Sequence, residues 1–197
     1  MLAVAAGAER MTQAMRALEA AYLIGVEGVT EIWLVRHGDC YEGMAEGPDP
    51  PLSPLGRRQA EQLAVRVKHA GVAAIYASPF RRAVETARIL GEDIIEDKRL
   101  VEIELELGED GNLDFKETPA SVVERMRSAI DTIVEAHPGQ RVVVVTHGVA
   151  LMAYITDVLG LAPGQIRLLP YYTSVSVVRG LGDSRMIGGI ADTAHLE

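Results

Sequence analysis

Two histidines occupy the same kind of place in this chain. Ile32-Trp33-Leu34-Val35 runs into Arg36-His37-Gly38, and Val142-Val143-Val144-Val145 runs through Thr146 into His147-Gly148. Each imidazole follows an apolar run that reads as a strand buried on both faces. In open α/β sheets, ligands gather beyond the carboxyl ends of the strands. If the two strands are neighbours, both rings face one cleft, with Arg36 beside them and glycine giving a ligand close access to the backbone. One histidine at a strand end is as readily a satisfied loop residue; a pair in matched settings points to chemistry. A neutral imidazole with one bare nitrogen is a nucleophile or base, and its other nitrogen needs a hydrogen bond that sets the tautomer.

A third segment adds cations. Ser78-Pro79-Phe80-Arg81-Arg82-Ala83-Val84-Glu85-Thr86-Ala87 follows a short strand and opens a helix. A helix N-terminus attracts anions through its free N–H groups and dipole. An arginine on the first turn offers a bidentate donor matched to phosphate. Of Arg81 and Arg82, one is expected on a solvated face.

The elements that must position these residues follow from pattern. Residues 1–28 form a helical extension, with Met15, Leu18 and Tyr22 on one apolar face, expected to pack on the domain or on a partner subunit. Residues 29–197 form the remaining unit. A strand covers residues 31–36. The Gly-, Pro- and acid-rich stretch 39–54 is a loop beside His37. Ser53 caps a helix that begins at Pro54 and runs to about residue 70, with Leu55, Leu63 and Val67 as burial candidates. Residues 73–77 form a strand, and Ser78-Pro79 repeats the cap-and-proline pattern before a helix to Leu90. Residues 93–96 and 99–105 read as strands or extended segments. Residues 108–119 read as a polar loop with a turn at Gly111-Asn112. A helix follows over 121–137, burying Val122, Met126, Ile130 and Val134, then a strand over 141–146 and a helix over 149–159. Two β-branched stretches, 171–179 and 184–190, close the chain as a hairpin. Strands alternating with helices imply an α/β architecture: a three-layer sandwich whose central sheet is mostly parallel, with helices on both faces and the hairpin at an edge.

Composition narrows the class. A net charge of -9 argues against a general nucleic-acid or anionic-membrane surface. It does not exclude an anionic substrate, because a few converging arginines dominate a local field. The single Cys40 permits no intrachain disulfide and no cysteine metal cluster. With no apolar run of membrane-spanning length and no leader-like N-terminus, the expectation is a cytoplasmic protein.

Four segments in order carry a family resemblance. They are Val35-Arg36-His37-Gly38, Pro51-Leu52-Ser53-Pro54-Leu55-Gly56 with Gln59-Ala60, residues 78–87, and Val145-Thr146-His147-Gly148. They resemble the signature segments of the histidine phosphatase superfamily, in its phosphoglycerate-mutase-like branch, over roughly residue 30 to the end. The resemblance implies that His37 is the nucleophile that becomes phosphohistidine. It implies that Arg36, Arg82 (rather than Arg81) and His147 hold the phosphate. It assigns the proton donor to a Leu-x-Glu segment, here Leu100-Val101-Glu102, with Glu104 and Glu106 as competitors. Phosphoryl transfer spreads charge over the equatorial oxygens, which two arginines and a protonated His147 would neutralise without a metal or other cofactor. Cys40 and Gly43 stand where many members carry Thr and Asn, which leaves specificity open. The short stretch after the acid suggests an open cleft that admits water. A phosphatase acting on phosphomonoesters therefore ranks above a cofactor-dependent phosphoglycerate mutase or an inactive phosphate-binding module. The expected substrate is a small phosphorylated metabolite, with a phosphoprotein as the wider option, and a homodimer remains open.

Overall fold

A computed structural model describes residues 2–41, 49–107 and 112–197. In chain order the elements are α1 (Leu2–Ala21), β1 (Thr30–Arg36), α2 (Pro54–His69), β2 (Val72–Ala77), α3 (Arg81–Leu90) and β3 (Ile94–Glu96). They continue with β4 (Leu105–Leu107), β5 (Leu113–Phe115), α4 (Pro119–Ala136), β6 (Arg141–Thr146), α5 (Gly148–Val158), β7 (Val175–Leu181) and β8 (Ser184–Asp192).

Six strands form one sheet in the order β3-β2-β6-β1-β7-β8. The first four run parallel, β7 pairs antiparallel with β1, and β8 antiparallel with β7. Side chains alternate across the strands, so the same apolar runs feed two cores. Ile32, Leu34, Val142 and Val144 pack with Met126, Ile130 and Ile133 of α4 and with Leu151 and Ile155 of α5. Trp33, Val35, Val143 and Val145 pack with Leu63 and Val67 of α2 and with Ala83 and Ala87 of α3. Burial on both faces is why these strands read as unbroken apolar runs rather than alternating ones. The result is a three-layer α/β sandwich, as the pattern implied.

The parallel pairing of β1 with β6 sets Arg36 opposite Thr146. Both His-Gly steps therefore leave the sheet at the same level. Backbone bonds knit the ends together: His37 N–H donates to Thr146 O at 3.0 Å, and Ser78 N–H to Val145 O at 2.9 Å.

Several local expectations are corrected. Of the two surfaces expected for the face of α1 that carries Met15, Leu18 and Tyr22, the domain does not cover it, since these residues are 49%, 53% and 56% exposed, and a partner subunit is the one left. Leu55 is exposed as well, while Leu63 and Val67 are buried. Ser53 caps α2 as expected, accepting from Gly56 N–H. Ser78 does not cap α3, whose N-cap is Phe80 and which begins at Arg81. The stretch 98–104 is a 3₁₀ turn at Lys98–Leu100 followed by extended chain, not a sheet strand. Inside the expected polar loop, β5 pairs antiparallel with β4; Gly111 and Gly43 lie outside the described residues. Residues 171–174 form a turn, and β7 begins only at Val175. No helix among the described residues is long and apolar enough to cross a membrane.

Candidate active site

The two imidazoles meet. Their ring centroids are 5.1 Å apart, in an edge-to-face arrangement, and both side chains are buried. Nδ1 of His37 lies 2.7 Å from the Gly38 carbonyl oxygen. A carbonyl only accepts, so Nδ1 carries the proton and Nε2 is left with its lone pair. That nitrogen faces Arg82, whose Nε–H donates to it at 3.3 Å. Burial, then the positive charges of Arg82 and Arg36, push the His37 pKa down to about 3, against the pull of the Gly38 bond. His37 is thus a neutral imidazole whose bare nitrogen points at a guanidinium.

His147 is oriented differently. Its Nε2 shares a 2.8 Å hydrogen bond with Ser78 Oγ, which also accepts the Phe80 N–H at 3.3 Å. Its Nδ1 is buried without a partner among the described residues, as is Nε of Arg36. Two buried, unpaired polar nitrogens beside a neutral imidazole are what an anion-binding cleft offers. Burial first, then His37 and Arg82, holds the His147 pKa well below its ordinary value. The expected imidazolium is therefore not what these surroundings favour by themselves; a dianion between the arginines supplies the missing counter-charge.

Both guanidiniums rest on aromatic rings. Arg36 lies 4.0 Å over Tyr172 and donates to Pro170 O at 2.8 Å; Arg82 lies 4.9 Å from the centre of Phe80. Stacking restricts their freedom before any ligand arrives. Asp49 accepts from Arg81 N–H at 2.9 Å and stands 3.4 Å from Arg82. Arg81 turns away to Glu85, so it is Arg82 that enters the cleft.

Close backbone contacts hold the first histidine. A Cβ on Gly38 would meet Gly56 O at 2.6 Å, and one on Gly56 would meet Asp39 O at 2.1 Å. Only glycine fits either place. Gly38 N–H donates to Thr86 Oγ1 and Asp39 N–H to Gln59 Oε1, both at 3.0 Å. Thr86 and Gln59 belong to the segments named by resemblance; their bonds explain why those residue types occur there.

Glu102 lies at the start of α5, directly after His147. Its Oε1 accepts from Ile103 and Ala150 N–H and its Oε2 from Val149 N–H, at 2.9 to 3.1 Å. Of its competitors, Glu104 is exposed and the Glu106 side chain lies outside what is described. Sequence reasoning missed the residue that steadies this segment. Arg125 of α4 donates to the carbonyls of Arg99 and Val101 at 2.8 and 2.7 Å and is itself paired with Glu117. Its distance in sequence left no local signal. A groove of about 1100 Å³ between α4 and α5 contains neither histidine. No group of three or more metal-ligating side chains occurs among the described residues.

This sheet, with two histidines and two arginines at its carboxyl edge, is that of a phosphate-ester enzyme. The chain belongs to the histidine phosphatase superfamily (branch 1), whose family model matches residues 32–110 and 106–193. A probable phosphoglycerate mutase GpmB of Cronobacter sakazakii is 32% identical over 204 residues, covering 85% of this chain and 95% of the relative. Among solved structures, Bacillus stearothermophilus YhfR is similar with a TM-score of 0.73 and 28% identity, covering 85% of this chain and 100% of that one. A mutant phosphoserine phosphatase of Entamoeba histolytica, in complex with phosphoserine, shares the fold with a TM-score of 0.74 at 19% identity, with coverage of 85% and 100%.

Proposed function

We propose that this protein is a phosphatase that hydrolyses phosphomonoesters through a phosphohistidine on His37, without a metal. The observation that carries the reading is the fixed tautomer of His37, whose Nδ1 is bound to Gly38 O and whose bare Nε2 faces Arg82. Nε2 attacks phosphorus, and the P–O ester bond breaks on the opposite side. Arg36, Arg82 and His147 hold the equatorial oxygens as charge spreads over them. Glu102, as its carboxylic acid, gives its proton to the departing alkoxide. Its Oε2 receives a single N–H and so keeps a lone pair for that proton. Water then attacks the phosphohistidine while the Glu102 carboxylate takes a proton from it. The P–N bond breaks, orthophosphate leaves and His37 returns neutral.

A mutase reading draws on the name of the GpmB relative. Against it stands the short connection from Glu102 to α4, in which the described structure is the β4–β5 hairpin. Supplying a phosphoglycerate with its bisphosphorylated primer separates the two, since only a mutase interconverts the isomers.

The test is a rapid quench with a radiolabelled phosphomonoester. Label should appear on the protein as an acid-labile, base-stable adduct, and His37→Ala should lose both the adduct and turnover. Turnover that survives His37→Ala refutes the nucleophile. Rates that vanish with a chelator refute metal independence.

A further inference from the structure

The alcohol half of the substrate has its own surroundings. The chain holds one Trp, six Tyr and two Phe, and among these nine rings two contact His37 or His147 and two more pack on one of those. Phe80 lies 5.2 Å from the His147 ring and Tyr172 lies 5.9 Å from the His37 ring. Those two are accounted for, because they carry the guanidiniums of Arg82 and Arg36.

Tyr41 and Tyr171 brace no charge. Each packs edge-on against Tyr172, with centroids 6.0 and 5.6 Å away, and each is more than half exposed, at 65% and 54%. Both outer rings are thus two ring-to-ring steps from the nucleophile, the reach of a ring attached just beyond an ester oxygen. Exposed rings beside a buried anion site are surfaces on which a planar group stacks.

We infer that the alcohol half of the substrate is aromatic or otherwise planar, seated against Tyr41 and Tyr171. Turnover of such an ester rests on the phosphatase reading; its binding does not.

The test compares esters of primary alcohols with similar leaving groups: benzyl phosphate and ethyl phosphate. Benzyl phosphate should exceed ethyl phosphate in kcat/KM by about tenfold or more. Tyr41→Ala and Tyr171→Ala should each lower the benzyl-to-ethyl ratio severalfold, and the double variant should bring it near one. Tyr41→Phe with Tyr171→Phe should keep it. In parallel, calorimetry compares benzylphosphonate with methylphosphonate. Ring-selective phosphonate binding without hydrolysis of any ester would uphold the stacking surface and sink the phosphatase reading. Hydrolysis with a ratio near one, or a ratio unmoved in the double alanine variant, overturns the inference and leaves the phosphatase reading standing.

Discussion

Glu102 is the residue whose role is least determined by its contacts. Its carboxylate receives three backbone N–H groups, and two of these open α5. His147, the N-cap residue of that helix, supplies no side-chain bond to it, so Glu102 does. A capping contact and the proposed acid role therefore fall on one side chain, and leaving-group chemistry separates them. Glutamine keeps the shape and one acceptor oxygen but has no proton to give. Glu102→Gln should slow benzyl and ethyl phosphate by about a hundredfold or more, the range of a lost general acid. With p-nitrophenyl phosphate, whose phenolate departs unaided, the loss should stay within about tenfold. Equal losses on both esters would mean that Glu102 serves the helix and not the alkoxide.

At the scale of elements, the candidate site is the junction of three strand ends with the first turns of α3 and α5. The N-terminus of α3 carries an acid beside the proposed phosphate-binding arginine. Asp49 accepts the Arg81 N–H and stands 3.4 Å from Arg82, so its charge would compete with a phosphate for that guanidinium. Asp49→Asn keeps an acceptor for the helix end and removes the competing charge. Vanadate and orthophosphate should bind about two- to fivefold more tightly to the variant, measured as inhibition constants. Weaker binding would show that Asp49 positions Arg82 rather than competing for it. Much of this junction was legible in the sequence because its parts are local. Arg36-His37-Gly38 and His147-Gly148 sit directly on apolar runs, and Ser53-Pro54 announces its own helix. What was not legible depends on partners distant in sequence. Ser78 has the look of a cap, yet its hydroxyl bonds His147, 69 residues later. Arg125 supports the Glu102 segment through carbonyls 26 and 24 residues earlier, with no local pattern to announce it. The pair β4–β5 hid inside a polar stretch, because three-residue strands carry too few side chains for a period to emerge. The Met15, Leu18 and Tyr22 stripe had helical spacing without a surface in this chain to cover it.

At the scale of the whole molecule, keeping two imidazoles neutral in one buried cleft ties stability to acidity. The His37 pKa is pushed down to about 3 and that of His147 lies well below its ordinary value, with burial the first cause of both. In the unfolded chain each histidine takes a proton near its ordinary pKa of 6.5. Below that point the unfolded state binds more protons than the native one, so stability falls as pH falls. The contribution is fully present above pH 6.5 and is lost progressively toward pH 3. The slope approaches ~1.4 kcal/mol per pH unit for each histidine that stays neutral. Carboxylates held low by arginine, such as Asp97 by Arg99 and Glu117 by Arg125, add to the loss only at more acid pH. The urea midpoint should therefore be nearly flat from pH 8 to 7, then drop steeply between pH 6 and 5, where carboxylates have scarcely begun to titrate. His147→Asn removes one of the two neutral rings, so its drop over that interval should be clearly shallower than that of the unsubstituted protein. A midpoint that does not move between pH 7 and 5, or an unaltered slope in His147→Asn, would show that the native cleft accepts protons as readily as water does, and His37 would then be no poised nucleophile.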